Sequence, residues 1–155
     1  MAWEVIIRKA ELSDMRRVFE LSNDPLVRAN SIHSEPIEWA AHEKWFANAL
    51  INQRLKFYIA ESAAGALIGQ VRFEEKEDGC LVSISLAAAF RGTGLAQTVL
   101  LKAMDASGLQ CFMAEICADN QPSLSLFKRC GFELQADGSF VAGGRKFERM
   151  RRESL

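Results

Sequence analysis

A glycine-containing turn joins an apolar segment to an amphipathic one at residues 91–96, which read Arg-Gly-Thr-Gly-Leu-Ala. Gly92 and Gly94 let the main chain approach a ligand closely, and the first N–H groups of a following helix have no partner within it. Such N–H groups bind phosphate and other anions. The turn therefore predicts a backbone anion site, with a plain strand-to-helix turn as the alternative. It lacks the complete glycine pattern of dinucleotide-binding folds and the Lys-Ser/Thr ending of a P-loop.

Two glutamates are candidates for proton transfer. Glu115 is the only charged residue in the apolar segment 111–118. A lone carboxylate in such a strand is costly to bury unless it is paired or functional. Glu74 lies at the end of an earlier predicted strand and is the second candidate. A positioned carboxylate can act as a general base, although a salt bridge at the strand end explains Glu115 equally well.

The elements that would hold these residues follow from the hydrophobic periodicity. The pattern predicts strands at 4–9, 56–61, 67–74, 80–86, 111–118, 132–135 and 140–149, and helices beginning at Ser13 and spanning 37–52, 95–106 and 120–130. The strands at 56–86 form an antiparallel meander, and the chain turns βαβ-like after the glycine turn. This order predicts an α/β (mixed α+β) domain over residues 1–155, with a mixed central sheet and helices on both faces.

Composition excludes several classes of function. The formal net charge of -1 argues against a nucleic-acid-coating or membrane-surface role. No apolar run approaches the roughly 20 residues of a membrane helix, and we expect no signal peptide. The four cysteines form no C-x-x-C pair and no zinc-ligand spacing. We therefore expect a cytoplasmic protein with buried free thiols and without a metal, nucleic-acid or membrane partner.

A second motif makes the turn more specific. Residues 115–132 read EICADNQPSLSLFKRCGF. With both motifs, the chain resembles the GCN5-related N-acetyltransferase (GNAT) superfamily. In that family an R/Q-x-x-G-x-G/A turn follows the fourth strand, and the later motif carries an Asn, a small residue and a closing Gly-Phe. The resemblance covers nearly the whole chain and implies the GNAT fold, a mostly antiparallel sheet of about seven strands with the fourth and fifth splayed apart.

The resemblance also implies acetyl-CoA as the acyl donor. Its pyrophosphate would lie on the turn, and its pantetheine arm would lie in the gap beside residues 86–88, where a run of alanines leaves room. A backbone N–H near Leu86 would polarise the thioester oxygen. Asn120 and Ser123 would contact the pantetheine, with helix capping as their alternative role. The implied coenzyme positions are Leu86, Ala88, Arg91, Gly92, Thr93, Gly94, Leu95, Ala96, Asn120, Ser123 and Phe127.

The implied reaction is direct attack of a primary amine on the acetyl carbonyl. The amine must lose a proton and the departing thiolate must gain one. By the resemblance, Glu115 occupies the position of the base in some ribosomal-protein acetyltransferases. Phe127 departs from the family pattern, because many relatives carry a Tyr acid there, and the only tyrosine here is Tyr58 in an early strand. Either the thiolate leaves unassisted or through water, or the chain is a non-catalytic acetyl-CoA-binding module.

The N-terminal third is similar to acetyltransferases of nucleotide-linked 4-amino-6-deoxy sugars, of the pseudaminic-acid pathway type. This similarity rests on residues 23–31, 36–37 and 42–46. It implies a sugar nucleotide as acceptor, contacted by Arg28, Asn30, Ser31 and His42. An ordinary polar loop and a core histidine are the alternatives for those residues. A protein N-terminus or a polyamine is the alternative acceptor, and an exposed last strand could pair two copies into a homodimer.

Overall fold

The computed structural model describes residues 4–153. Its strands are β1 (Ile6–Lys9), β2 (Leu55–Glu61), β3 (Leu67–Lys76), β4 (Gly79–Leu86), β5 (Cys111–Cys117), β6 (Glu133–Leu134), β7 (Phe140–Ala142) and β8 (Arg145–Glu153). Its helices are α1 (Met15–Ser22), α2 (Pro25–Ala29), α3 (Trp39–Ile51), α4 (Leu95–Ser107) and α5 (Gln121–Arg129). Within residues 4–153, none of these helices is both long and apolar enough to cross a membrane.

The strands form one sheet in the order β1-β2-β3-β4-β5-β8-β6, with β7 also paired to β8. Every pairing is antiparallel except that of β4 with β5. Those two strands pair only at Cys80 with Phe112 and Leu81 with Met113. By contrast, β4 pairs with β3 along its whole length, from Gly79 opposite Lys76 to Leu86 opposite Gly69. The sheet therefore divides into two parts that are joined at one end and open at the other, which confirms the predicted mixed sheet with splayed strands.

Helices cover both faces of the sheet, as predicted. In β2, Phe57 and Ile59 pack in a cluster with buried residues of α1 and α3. The alternate residues Tyr58 and Ala60 join the larger cluster, which includes buried residues of α4 and α5. Successive side chains of a strand point to opposite faces, so this alternation accounts for the two core layers.

The N-terminal elements are joined by an ionic network around Asp14, whose side chain is almost completely buried. Both carboxylate oxygens of Asp14 accept hydrogen bonds from Arg8 at 2.8 Å, and Arg17 donates a further one at 3.0 Å. Glu61 of β2 accepts from the same two arginines. The network therefore ties β1, β2 and α1 together.

One helix was not predicted from the sequence. We expected no regular element between residues 26 and 36, but α2 occupies the first part of that stretch. Asp24 is its N-cap and accepts a hydrogen bond from the Leu26 backbone N–H at 2.9 Å, and Pro25 takes the first helical position. Both residues are typical of a helix start, so the Asp-Pro pair that ends α1 also begins α2.

The C-terminal hairpin also differs from the prediction. We expected one strand over residues 140–149, but Gly143 and Gly144 have φ values of 58° and 75° and form a turn between β7 and β8. The last strand, β8, is flanked by β5 on one side and by β6 and β7 on the other. The expectation of an exposed last strand is therefore wrong, and the homodimer stays a prediction without that pairing.

Candidate active site

A cleft of about 970 Å³ occupies the gap between β4 and β5. Residues from both faces of β4 line it, among them Ser85 and Leu86, because the cavity passes through the divided sheet. The start of α4 and one side of α5 border the cleft, and so do α2 and the loop that follows it. The predicted coenzyme turn and most of the predicted acceptor residues therefore open onto a single space.

The glycine turn faces this space. Gly92 and Gly94 have φ values of 72° and 81°, which non-glycine residues rarely adopt. A Cβ atom added to either glycine would meet no protein atom within 4 Å. Gly94 is the N-cap residue of α4 and has no side chain to cap it. The Leu95 N–H makes a long bond of 3.4 Å to the Thr93 hydroxyl, and the next N–H groups of the first turn are available to a ligand. Thr93 fixes the turn by donating a hydrogen bond to the Phe90 carbonyl at 2.6 Å. The turn thus fits a phosphate group.

Arg91 connects the predicted coenzyme turn, residues 91–96, to the start of α2, which precedes the predicted acceptor loop at residues 30–33. Its Nε donates a hydrogen bond to the Leu86 carbonyl at 3.1 Å, and its Nη2 lies 3.0 Å from Oδ1 of Asp24, the residue that caps α2. Burial opposes ionisation of Asp24, but the contact with Arg91 and the capping bonds outweigh it and lower the pKa of Asp24. One arginine therefore holds together the end of β4, the turn and the start of α2.

Helix α5 forms the opposite wall. Asn120 caps this helix by accepting a hydrogen bond from the Ser123 backbone N–H at 3.3 Å, and both residues line the cleft. Phe127 also lines it and packs edge-on against Phe132, with ring centroids 4.9 Å apart. The chain's only tyrosine, Tyr58, is buried in the core and does not reach the cleft. No phenol is therefore available to protonate a departing thiolate.

The cleft gathers most, but not all, of the predicted coenzyme residues. Eight of them line it: Leu86, Arg91, Gly92, Gly94, Ala96, Asn120, Ser123 and Phe127. Leu95 is buried in the core, and Thr93 stabilises the turn through the hydrogen bond from its hydroxyl to the Phe90 carbonyl. Ala88 is exposed in a short 3₁₀ turn beyond β4. These three residues shape the turn and its approach without facing the cavity.

The two candidate glutamates lie in different places. Glu115 lines the cleft, and its carboxylate accepts a hydrogen bond at 3.1 Å from Arg149, the residue opposite it on β8. It is therefore both an ion-pair member and a cleft residue. Glu74 is 2.6 Å from Lys76 and lines an adjoining pocket of about 370 Å³ beside Trp45, which shares Arg72, Leu81 and Ser83 with the cleft. The structure does not bring Glu74 to the cleft.

Three of the four predicted acceptor residues, Arg28, Asn30 and Ser31, line the cleft. The guanidinium of Arg28 is engaged by neighbouring backbone, because it donates to the Ser22 carbonyl at the end of α1 at 2.7 Å and to the His33 carbonyl at 2.8 Å. A longer bond of 3.3 Å reaches the Ser31 hydroxyl. Arg28 therefore shapes the acceptor loop more than it offers free donors.

His42, the fourth predicted acceptor residue, lies in the core. Only 2% of it is exposed, and its Nε2 is 2.8 Å from the Met15 carbonyl. The rings of Phe19 and Phe46 lie within 6 Å, and burial lowers the pKa of His42. The structure supports the alternative given above, a core histidine with one hydrogen bond, and places it outside the cleft.

Sequence reasoning missed a polar strip on the floor of the cleft. Gln70 and Arg72 of β3 lie beside Ser83 and Ser85 of β4. The period-two placement of Gln70 and Arg72 among apolar residues was a signal for one polar face of β3. Their neighbours on β4 follow from strand register, which the sequence does not state.

Comparison with known proteins identifies the family. Residues 4–133 match the family model for the acetyltransferase (GNAT) domain. An L-methionine sulfoximine/L-methionine sulfone acetyltransferase of Pseudomonas paraeruginosa is 29% identical over 153 residues, covering 92% of this chain and 87% of that protein. A Bacillus subtilis protein provisionally named phosphinothricin acetyltransferase is 29% identical over 136 residues, covering 81% and 82%.

Among solved structures, the crystal structure of a spermidine N-acetyltransferase from Vibrio cholerae, in complex with CoA and spermine, has the same fold. Its TM-score is 0.86 at 22% identity, over 97% of this chain and 95% of that one. These relatives do not support the expected pseudaminic-acid type, since none of the three carries an amino-sugar name. The match over residues 4–133, with which the cleft and its glycine turn agree, shows that the chain belongs to the GNAT family and is an acetyl-CoA-dependent N-acetyltransferase.

Proposed function

We propose that this enzyme acetylates the primary amine of a small molecule that enters the cleft from the α2 side. Continuity of the cleft carries this proposal, because one cavity joins the phosphate-binding turn at Gly92 and Gly94 to the loop that holds Asn30 and Ser31. The pairing of β4 with β5 ends after Leu81, so the cavity reaches the acceptor side past the end of β4. An acyl donor and an amine entering from opposite sides would meet near Leu86.

The chemistry requires a neutral amine. Its nitrogen attacks the acetyl carbonyl carbon, a carbon–nitrogen bond forms, and the carbon–sulfur bond breaks as the thiolate leaves. The nitrogen loses one proton, which Glu115 can accept directly or through water, since its carboxylate lines the cleft. Phe127 offers no proton, so water protonates the thiolate.

Amino acids are the first acceptor class to test, because methionine sulfoximine and phosphinothricin, in the names of two relatives, are amino-acid analogues. A 4-amino sugar nucleotide is the second class, supported by Asn30 and Ser31 in the cleft but weakened by the internal bonds of Arg28. A polyamine is the third, after the name of the solved spermidine enzyme.

The test is a thiol-release assay with acetyl-CoA and one amine of each class: L-methionine sulfone, a 4-amino sugar nucleotide and spermidine. We expect turnover with at least one of them. Absence of thiol release with every amine, in protein that binds acetyl-CoA by calorimetry, would identify a non-catalytic binding module instead.

Two matched variants locate the coenzyme. Gly94 and Gly108 cap the two ends of α4, both have positive φ, and neither has a neighbour that a Cβ would meet. Only Gly94 lines the cleft. We expect Gly94→Trp to abolish acetyl-CoA binding in calorimetry, while Gly108→Trp binds as the wild type does. Equal binding by the two variants would place the pyrophosphate elsewhere.

A further inference from the structure

We propose that Gln70 and Arg72 of β3 recognise the acceptor. The side-chain amide oxygen of Gln70 accepts a hydrogen bond from the amine, and the guanidinium of Arg72 binds an anionic group, a carboxylate in the simplest case. The inference rests on the proposed function and narrows its substrate class to small amines that carry a negative charge. Both residues line the cleft, and neither has all its polar atoms satisfied among residues 4–153.

Arg72 is a half-buried cation that forms no ion pair in the described part of the chain, although the negative charge of Glu74 acts on it from a greater distance. Its guanidinium lies 4.8 Å from the ring centroid of Trp45 and donates one hydrogen bond, at 3.1 Å, to the Ser83 hydroxyl. The neighbouring Glu74 and Glu75 form their ion pairs with other cations. Burial lowers the pKa of Arg72 to about 10, so it remains charged at neutral pH. A guanidinium held in this way has donors left for a carboxylate.

Gln70 is only 3% exposed. Its Nε2 donates to the Ser85 hydroxyl at 3.1 Å and, more weakly, to the Ser22 hydroxyl at 3.5 Å, and its Oε1 has no partner among residues 4–153. A serine hydroxyl can donate or accept, so reversing the amide would still leave one amide atom unpartnered. A buried amide oxygen on the cleft wall fits a ligand that brings an N–H group.

The order of the two residues along β3 matches an amine with an anionic tail. Gln70 pairs with Ser85, next to Gly69 opposite Leu86, and Arg72 pairs with Ser83 farther from that end. Residues two apart on a strand project from the same face, roughly 7 Å from each other. The amide of Gln70 therefore lies beside the place where the acetyl group is expected, and the guanidinium of Arg72 lies two residues farther along the strand.

The positive charge of Arg72 argues against a polyamine as the acceptor. A polyamine would bring further ammonium groups toward Arg72, and like charges in a partly desolvated cleft repel. Among residues 4–153 the polar strip of Gln70, Arg72, Ser83 and Ser85 contains no carboxylate, and the carboxylates that line the cleft, Glu115 and Asp119, lie across the gap on β5 and just after it.

The experiment compares two amines that differ by one group. L-Methionine sulfone carries the carboxylate, and 3-(methylsulfonyl)propan-1-amine lacks it. We expect wild-type enzyme to prefer the former in kcat/KM by about 100-fold. Arg72→Gln should lose about that factor toward methionine sulfone, mainly through KM, and should treat the decarboxylated amine as wild type does. Gln70→Leu should lower kcat/KM for both amines.

The control variant is Arg54→Gln, which removes another arginine just before β2, outside the cleft and largely exposed. It should leave both rates unchanged. Acetyl-CoA affinity, measured by calorimetry, must match wild type in every variant, which shows that each is folded. Equal wild-type kcat/KM for the two amines, an equal loss for both in Arg72→Gln, or turnover of spermidine alone overturns the inference and leaves the proposed function standing.

Two remaining outcomes are also decisive. If only a 4-amino sugar nucleotide is acetylated, Arg72→Gln must slow that reaction, and an unchanged rate overturns the inference.

If no amine releases thiol, the proposed function fails. Calorimetry of L-methionine sulfone with CoA-saturated wild-type and Arg72→Gln protein then decides the inference by itself. Weaker binding by the variant supports it, and equal affinity or no binding to either protein overturns it.

Discussion

At the residue scale, the proposed proton chemistry of the cleft depends on Glu115 and Phe127. Both line it, and they lie on β5 and α5 respectively. We propose that Glu115 takes a proton from the amine, whereas Phe127 stands where, by the family resemblance, many relatives carry a tyrosine acid. In this proposal, Glu115 assists the attacking nitrogen, whereas residue 127 gives no assistance to the leaving sulfur.

The role of Glu115 can be tested by Glu115→Gln, which keeps the size of the side chain and removes its ability to accept a proton. We expect kcat to fall about 100-fold and the pH–rate profile to change shape, because the substituted side chain cannot accept the proton of the amine. Stopped-time assays over a range of pH values measure both effects. Glu148→Gln, which changes a glutamate of β8 outside the cleft, is the control. An unchanged pH–rate profile in Glu115→Gln removes it as the base.

At the scale of elements, the contact between Arg91 and Asp24 couples the start of α2 to the coenzyme turn. Asp24→Asn keeps the cap, because asparagine is as good an N-cap as aspartate, and removes the charge. We expect tighter acetyl-CoA binding, since Arg91 is no longer partly neutralised, and a higher KM for the amine, since α2 loses its tie. Calorimetry and steady-state kinetics measure these opposite shifts. Movement of both constants in the same direction would contradict this coupling.

The sequence allowed several elements to be predicted for physical reasons. Helix α4 follows from its apolar period and its glycine caps, and the mixed sheet follows from the element order. Helix α2 was not predicted, because the same Asp-Pro pair ends α1 and begins α2. The polar strip of Gln70 and Arg72 was not predicted, because its neighbours on β4 depend on the register between strands. The apolar face of the helix that carries His42 was predicted correctly, but His42 itself lies in the core and not in the cleft.

At the scale of the whole molecule, the network around Asp14 makes stability depend on pH. Burial opposes ionisation of Asp14, but hydrogen bonds from Arg8, the Glu11 backbone N–H and Arg17 outweigh it and lower the pKa of Asp14 to about 2. An unfolded aspartate has a pKa of about 3.9. Because the folded value is the lower one, this stabilisation is complete above about pH 4 and is lost as the pH falls through 2.

Asp14→Asn removes that contribution. We expect the free energy of unfolding at pH 7 to fall by about 2 kcal/mol, and its decline between pH 4 and pH 2 to become shallower. Urea titrations at pH 7 and pH 3 measure both. The control is Glu153→Gln, which breaks an exposed ion pair with Arg151 and should change stability by less than about 1 kcal/mol. Wild-type stability of Asp14→Asn at pH 7 would contradict the prediction.

The short seam between β4 and β5 also has a mechanical consequence. Only Cys80 and Leu81 connect β4 to β5, and five further residues carry β4 to Leu86, a lever of about 16 Å. Rotation of the two half-sheets by about 4° at the seam would displace Leu86 by about 1 Å, with every strand ladder intact. A rotation of that size would change the width of the cleft at Leu86 without breaking a backbone hydrogen bond between paired strands.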